Sequence, residues 1–409
     1  MISVLSPSRV DDFEGHFQRL ISIRPLSPFE PAILDFIDAV SKSVLLAPAM
    51  RNMPEMMAAA HWMRRAHILE LKRGFEATRG DRILLPRGVA LHFAPSNVDS
   101  LFVYSWLISM LLGNANIVRL SSRRGSQVDA LLVQINELAA QPRFGDIQVR
   151  NLVVSYDHDD AVTERLSEAC HVRLLWGGDD SVRRLRAVPL NALATEIAFA
   201  NRFSLAVLNA AAVNACGADG LRELASRFYR DAYGFDQMAC SSPRLVVWVG
   251  SAEERSPAQR EFWAALTREV ERRGTEYPEM VGLNKQVAAY VAAARGVADE
   301  VAPGVTSAIS RVHVSGTDAG GFRDIDCGGG LFFEMELERL EELANVVTER
   351  DQTLSHFGFA ADELRQLALT LPTRAVDRVV PVGTALDFST VWDGYDLIQI
   401  LSRQVDLQA

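Results

Sequence analysis

The sequence predicts an α/β protein built on parallel sheets with helices on both faces. From Gly88 onward, short runs of β-branched and apolar residues alternate with longer segments whose apolar groups recur at three- and four-residue spacing. Gly and Pro punctuate these segments, as they do in loops between strands and helices. Size agrees, because 409 residues with 48% hydrophobic content can bury two separate cores.

The first 80 residues read as helical, since MPEMMAAAHWMRRAHILELKRGF combines strong helix formers with helical spacing. VALHFAP is then a strand that stops at Pro95, and DSLFVYSWLISMLLG a helix that stops at Gly113. NIVRL is a second strand, followed by the helical SQVDALLVQINELAAQ. NLVVSY, a helix from about Asp159, HVRLLW, a helix from about Asp179 and SLAVLNA continue the alternation. LRELASRFYRDAYG leads through a cysteine-bearing turn into the strand RLVVWVG, and a polar helix runs from about Pro257 to Arg273. GGFRDIDCGGG and TLPTRAVDRVVPVG are turn-rich. This organisation divides the chain into a helical segment with a nucleotide-sized domain (1–205), a catalytic domain carrying the cysteine turn (206–380) and a C-terminal segment packing back on the body (381–409).

A net charge of −10 and a pI near 5.4 argue against a nucleic-acid or anionic-membrane surface, so any anionic ligand must be held locally. LFVYSWLISMLLG is too short to span a bilayer, and the first residues carry no basic region followed by an apolar core. Cys170, Cys216, Cys240 and Cys327 lack CxxC pairing and nearby histidines, which suggests neither a metal site nor a disulfide framework and fits a reducing cytoplasm.

Five places could carry chemistry. In DQMACSSPRLVVWVG, Cys240 lies on a connection between elements, where a thiol is either inert packing or a nucleophile toward a carbonyl carbon. In LHFAPSNVDSLF a strand runs into Pro95, Ser96 and Asn97; the Asn amide either donates into the crevice where open α/β sheets bind ligands or caps the next helix. NIVRLSSRRGS crowds Arg119, Ser121, Ser122, Arg123 and Arg124 behind a strand, either a phosphate-monoester site or a solvated basic turn. No GxGxxG accompanies the early strands, so a dinucleotide must bind without that fingerprint. The Gly177-Gly178 turn lets backbone pass close to a flat ligand, or is a bare turn before a capped helix. Glu196, in NALATEIAFANRFS, is a carboxylate in apolar company: a proton carrier if desolvated, and a structural residue on a helix edge otherwise.

Taken in order, PRGVALHFAPSNVDSLFVYSWLISMLLGNANIVRLSSR, LLWGGDDSVRRLRAVPL, TEIAFANRFSLAV, DQMACSSPRLVVWVG and VVPVGTALDFSTVWDGYDLI resemble the acyl-CoA reductase family. That family includes the fatty-acid reductase subunit of bacterial luminescence and is a divergent branch of the aldehyde dehydrogenase superfamily. The resemblance implies an aldehyde dehydrogenase-like fold of two Rossmann-type α/β domains. It matches Cys240 to the catalytic cysteine, which follows a Gln by three positions, and Asn97 to the asparagine that helps hold the oxyanion. Arg119 matches a basic residue at the adenine-side ribose, with Pro95, Ser96, Gly177 and Gly178 counted among the cofactor-binding positions. Glu196 matches the general base of oxidising members.

Two departures matter. Classical members carry a glutamate a few residues beyond the position of Arg119; here Ser121, Ser122 and Arg123 stand nearby, which favours a 2′-phosphate and so NADPH over NADH. CGGGLFF also lacks the Glu-containing motif that holds the nicotinamide ribose, and TEIAF is a reduced form of the glutamate block. The activity implied is NADPH-dependent reduction of an acyl-CoA or acyl-protein thioester, with a long acyl chain, to the aldehyde through an acyl-cysteine. Aldehyde oxidation to the acid and an acyl-carrying subunit without redox activity are the rivals. The resemblance further implies an acyl-protein synthetase partner and self-association as a homo-oligomer.

Overall fold

The computed structural model describes residues 2–8, 12–51, 53–94, 101–122, 124–314, 319–325, 327–372 and 374–408. It separates into two compact units, Met1–Ala200 with Phe388–Ala409, and Asn201–Asp387.

In the first unit the strands are β1 (Ser3–Ser6), β2 (Ile83–Pro86), β3 (Val89–Phe93), β4 (Ala115–Leu120), β5 (Asn151–Ser155), β6 (Val172–Trp176) and β7 (Thr195–Phe199). Six of them form a sheet in the order β1-β5-β4-β3-β6-β7, parallel except at β1, which runs antiparallel to β5. The parallel part starts at β3 in the middle, winds outward to β5, then crosses to the other side for β6 and β7. This is the doubly wound order, and its reversal between β3 and β6 opens a crevice at their carboxyl ends. The central strands are buried on both faces, so alternate residues serve two cores. Val89, Leu91 and Phe93 pack in one cluster with Ile117, Leu152 and Leu175. His92 points the other way and is enclosed beside Ser105 Oγ and Asn116 Oδ1, each 3.2 Å away. Burial pushes its imidazole down to about 4, so it stays neutral.

The second unit carries β8 (Phe203–Asn209), β9 (Leu245–Val249), β10 (Glu300–Thr306), β11 (Ile309–His313), β12 (Leu331–Leu337), β13 (Asp351–Phe357) and β14 (Arg378–Pro381). Their order is β10-β11-β12-β9-β8-β13-β14, with only the edge hairpin β10/β11 antiparallel. On β8 and β9 the period of two is strict. Phe203, Leu205, Val207, Leu245 and Val247 face one core, while Ala206, Leu208, Val246 and Trp248 face the other. The polar helix after β9 begins at Ala252, five residues before Pro257, because Ser251 and Glu254 form a reciprocal capping box. The last strands, β15 (Val391–Trp392), β16 (Tyr395–Asp396) and β17 (Ser402–Val405), belong to the first unit, where β17 pairs antiparallel with β2.

Asp231, in the helix Gly217–Tyr233, is 1% exposed and accepts the backbone N–H groups of Gly383 (2.6 Å) and Ala385 (2.9 Å). Burial pushes its carboxyl from 3.8 up to about 7, against the pull of those two donors. The native state then holds a proton that the unfolded chain releases, so stability falls as pH rises from about 4 to 7. The expected loss is about 2 to 4 kcal/mol, and denaturant unfolding across that range should show a flatter slope for Asp231→Asn. An unchanged slope would remove Asp231 as its source.

Candidate active site

Cys240 stands on the connection between the helix Gly217–Tyr233 and β9, at the amino end of the second sheet. The helix stops and the chain reverses through two successive left-handed residues, Asp236 (φ 51°) and Gln237 (φ 64°), each costing about 1–2 kcal/mol in a non-glycine residue. What holds this turn is Gln237, 1% exposed. Its Nε2 donates to the carbonyls of Pro243 (3.0 Å) and Leu331 (2.9 Å), and its Oε1 accepts the N–H of Gly330 (3.0 Å). Gly329 N–H donates to the Asp236 carbonyl at 2.9 Å, so the cysteine loop and the glycine run before β12 are zipped together. Gly330 lies at φ 80°, and a Cβ there would fall 1.8 Å from the Ala308 carbonyl oxygen, so only glycine fits. From the other side Ser204 Oγ donates to the Cys240 carbonyl at 2.6 Å and accepts Thr353 N–H at 3.2 Å.

The four thiols differ. Cys170 is buried and donates to the Ser167 carbonyl at 3.3 Å, and burial pushes it up to about 12. Cys216 donates to the Val213 carbonyl at 3.1 Å and is likewise raised by burial. Both are held as thiols. Cys240 and Cys327 are half-buried, as Cys216 is, and Cys327 donates to the Gly328 carbonyl at 3.5 Å. Cys327 lines a cavity of about 610 Å³ within the second unit that also reaches Asp236 and Met238 of the cysteine loop. Behind it, Lys285 is 3% exposed and holds the carbonyls of Gly329 (3.0 Å) and Ser307. Burial pushes this ammonium down to about 8, partly offset by Cys327.

In the first unit, Gly177 and Gly178 follow β6 at the carboxyl edge of its sheet, and Ser121 and Ser122 follow β4. Pro95, Ser96, Asn97 and Arg123 lie outside the described residues. Gly177 has an ordinary backbone angle, and a Cβ there would meet only Ser181 Cβ at 3.5 Å, so neither strain nor packing demands glycine. Open space at a sheet's switch point suits a flat dinucleotide. The basic corner is engaged within the chain. Arg119 is folded down, its Nη2 donating to the Tyr156 carbonyl at 2.9 Å with the guanidinium 5.3 Å from the Tyr156 ring centroid, while Arg124 is tied to Asp129 at 2.5 Å. The corner is also not free of carboxylates, because Asp157, just beyond β5, accepts Ser122 Oγ at 3.1 Å. The signal was present in SYDHDD, a carboxylate directly after a strand.

Glu196 sits on β7, not on a helix edge, and its neighbours are charged. Arg173 grips Oε2 at 2.5–2.6 Å, and Arg186 holds Oε1 at 3.1 Å. Two guanidiniums occupy the carboxylate in place of the expected apolar surroundings. Among the described residues no group of three His, Cys, Asp or Glu side chains could hold a metal ion, and no helix is long and apolar enough to cross a membrane.

A doubly wound sheet in one unit and a second parallel sheet with a cysteine loop at its amino end define an aldehyde dehydrogenase fold. Solved structures agree: an NADP-dependent enzyme of E. coli (TM-score 0.67, 11% identity, 99% of this chain and 94% of that one) and aldehyde dehydrogenase 21 of Physcomitrella patens in complex with succinate (0.66, 10%, 91% and 85%). An NAD-dependent benzaldehyde dehydrogenase of Corynebacterium glutamicum matches with TM-score 0.62 at 12% identity, covering 96% of this chain and 86% of that one. The chain belongs to the acyl-CoA reductase (LuxC) family, whose profile matches residues 60–404, and is an oxidoreductase of that type. No curated protein sequence matches it.

Proposed function

We propose that the protein reduces a long-chain acyl thioester, carried by CoA or by a protein, to the aldehyde with NADPH. The observation that carries this reading is the Cys240 loop: a half-buried thiol on backbone fixed by Gln237 and Ser204 between a helix and β9. In this mechanism the Cys240 thiolate attacks the thioester carbonyl, and the Asn97 amide and the Cys240 N–H receive the oxyanion. The donor leaves as its thiolate and an acyl-cysteine remains. When bound, the nicotinamide supplies the hydride that reduces the acyl carbon. Collapse of the thiohemiacetal releases aldehyde and regenerates the Cys240 thiol.

Gly177, Gly178, Arg119, Ser121 and Ser122 would hold the cofactor. Arg119, Ser121, Ser122 and, next in sequence, Arg123 outweigh the opposing charge of Asp157 and favour a 2′-phosphate, so NADH should serve as a poorer donor. Thioester exchange needs no activated water, which agrees with Glu196 being engaged by Arg173 and Arg186. By the family resemblance, an acyl-protein synthetase subunit is the acyl donor, the protein self-associates and the reaction is cytoplasmic.

The test is loss of nicotinamide absorbance on mixing the protein with a long-chain acyl-CoA and NADPH or NADH, with aldehyde measured by gas chromatography. Aldehyde formed with NADPH consumed faster than NADH is the expected result. Free acid as the main product from aldehyde and NADP, whether or not CoA is present, would replace this reading with aldehyde oxidation.

A further inference from the structure

The helix Glu279–Ala294 turns Ala288, Ala289 and Ala292 into the core of the second unit, and one turn earlier on the same stripe it carries Lys285. Burying an ammonium is costly unless it is paired, yet among the described residues no carboxylate pairs with Lys285. The titratable groups around it are the Cys327 thiol, the Tyr277 phenol, Asp236 beyond that phenol, and Asp324 and Arg295 on the adjoining cavity wall. Of these, Cys327 is the one that bears on its charge. What the ammonium holds instead is backbone.

The peptide between Gly329 and Gly330 links it to the cysteine loop. The carbonyl oxygen of that peptide accepts from Lys285 Nζ at 3.0 Å, and its N–H, that of Gly330, donates to Gln237 Oε1 at 3.0 Å. A positive charge on the carbonyl makes the same peptide's N–H a stronger donor, because hydrogen bonds in series polarise one another. Gln237 passes the constraint on. Its Nε2 grips the Pro243 carbonyl, so one side chain closes the turn from residue 237 to 243, with Cys240 near its middle. A second route runs through Tyr277, whose ring centroid lies 5.9 Å from Lys285 Nζ and whose hydroxyl donates to Asp236 Oδ1 at 3.2 Å. Helix and glycine run are in close contact, since a Cβ on Gly329 would fall 2.5 Å from Val281 Cγ1. Lys285 thus stands behind clamps on both left-handed residues, Asp236 and Gln237, that turn the chain toward the thiol.

We propose that Lys285 is a positioning residue for acyl transfer, its charge setting the Cys240 loop through the Gly329–Gly330 peptide and Gln237. The inference rests on Cys240 being the nucleophile. Rapid-quench mass spectrometry of acyl-Cys240 formed from a long-chain acyl-CoA, without NADPH, tests it on both sides of pH 8. Below that pH, Lys285→Met should acylate about tenfold to a hundredfold more slowly, the scale of a small misplacement of a reacting group. Lys285→Arg, which keeps a charge and donors, should stay within a few-fold of wild type. The wild type gives up its own charge as pH passes about 8, so its lead over Lys285→Met should narrow there, while that of Lys285→Arg should not. A purely structural lysine would give a lead independent of pH. Thermal melts of each variant separate a loosened loop from an unfolded chain. Should Lys285→Met not fold, Lys285→Gln, which keeps amide donors without the charge, takes its place with the same expectation. Acylation of the uncharged variant at the wild-type rate, or a lead that stays constant across pH 8, overturns the proposal while the nucleophile stands. A wild type that carries no acyl group on Cys240 overturns the reductase reading and the proposal with it.

Discussion

Cys240→Ala should abolish acyl-CoA-dependent oxidation of NADPH, lowering kcat by about 10³-fold or more, as removal of a covalent nucleophile does elsewhere. Cys170→Ala, Cys216→Ser and Cys327→Ala should each stay within a few-fold of wild type. The contrast matters because it separates loss of the attacking sulfur from general damage. Mass spectrometry after mixing with acyl-CoA, without reductant, should find the acyl group on Cys240 alone. A Cys240→Ala protein that still reduces acyl-CoA would remove the nucleophile from this loop, and transfer of the label to Cys327 would move it to the neighbouring cavity.

Arg323→Met is expected to destabilise the second unit by about 3–5 kcal/mol. Arg323 and Asp351 form an ion pair with side chains 1% and 0% exposed. Nε and Nη2 both reach the carboxylate, at 2.7–3.1 Å, and Nη2 also donates to the Val346 carbonyl at 3.0 Å. Without the guanidinium, Asp351 keeps the Thr348 N–H at 2.7 Å but loses its counter-charge in a site closed to water. Urea unfolding followed by circular dichroism measures the effect. If the midpoint barely moves, relaxation or water entry screens the orphaned carboxylate. Because β13 carries Asp351 and pairs with β8, the damage should spread to the sheet beneath Ser204 and hence to the cysteine loop.

The parallel sheets were legible because buried strands announce themselves. VALHF, NLVVS, VRLLW and LVVWV are continuous apolar runs bounded by turns, and helices of clear periodicity lie between them. What stayed hidden depends on partners far away in the chain. Ser3–Ser6 becomes a strand only by pairing with β5, and Glu300–Thr306 only by pairing with β11. TEIAF reads as helical edge or strand until β6 fixes it, and Arg173 and Arg186 reach Glu196 from 23 and 10 residues away. Gln237 was noticed only for its spacing from Cys240. Its work is done on Pro243, Leu331 and Gly330, two of them more than 90 residues distant, which no local pattern could reveal.

The first unit is interrupted: the chain leaves it after Ala200 and returns at Phe388. The returning segment supplies the partner strand of β2, and Phe388 stacks on Tyr104 at 4.2 Å and meets Trp62 at 5.6 Å. On the ribosome, therefore, the part begun first is completed last. Residues 201–387 can mature as one uninterrupted stretch, while Trp62 and Tyr104 wait for Phe388 and β2 waits for β17, made last of all. Those apolar groups are the surface that a nascent chain must shield, so trigger-type chaperones should matter more to its yield than to its activity once made.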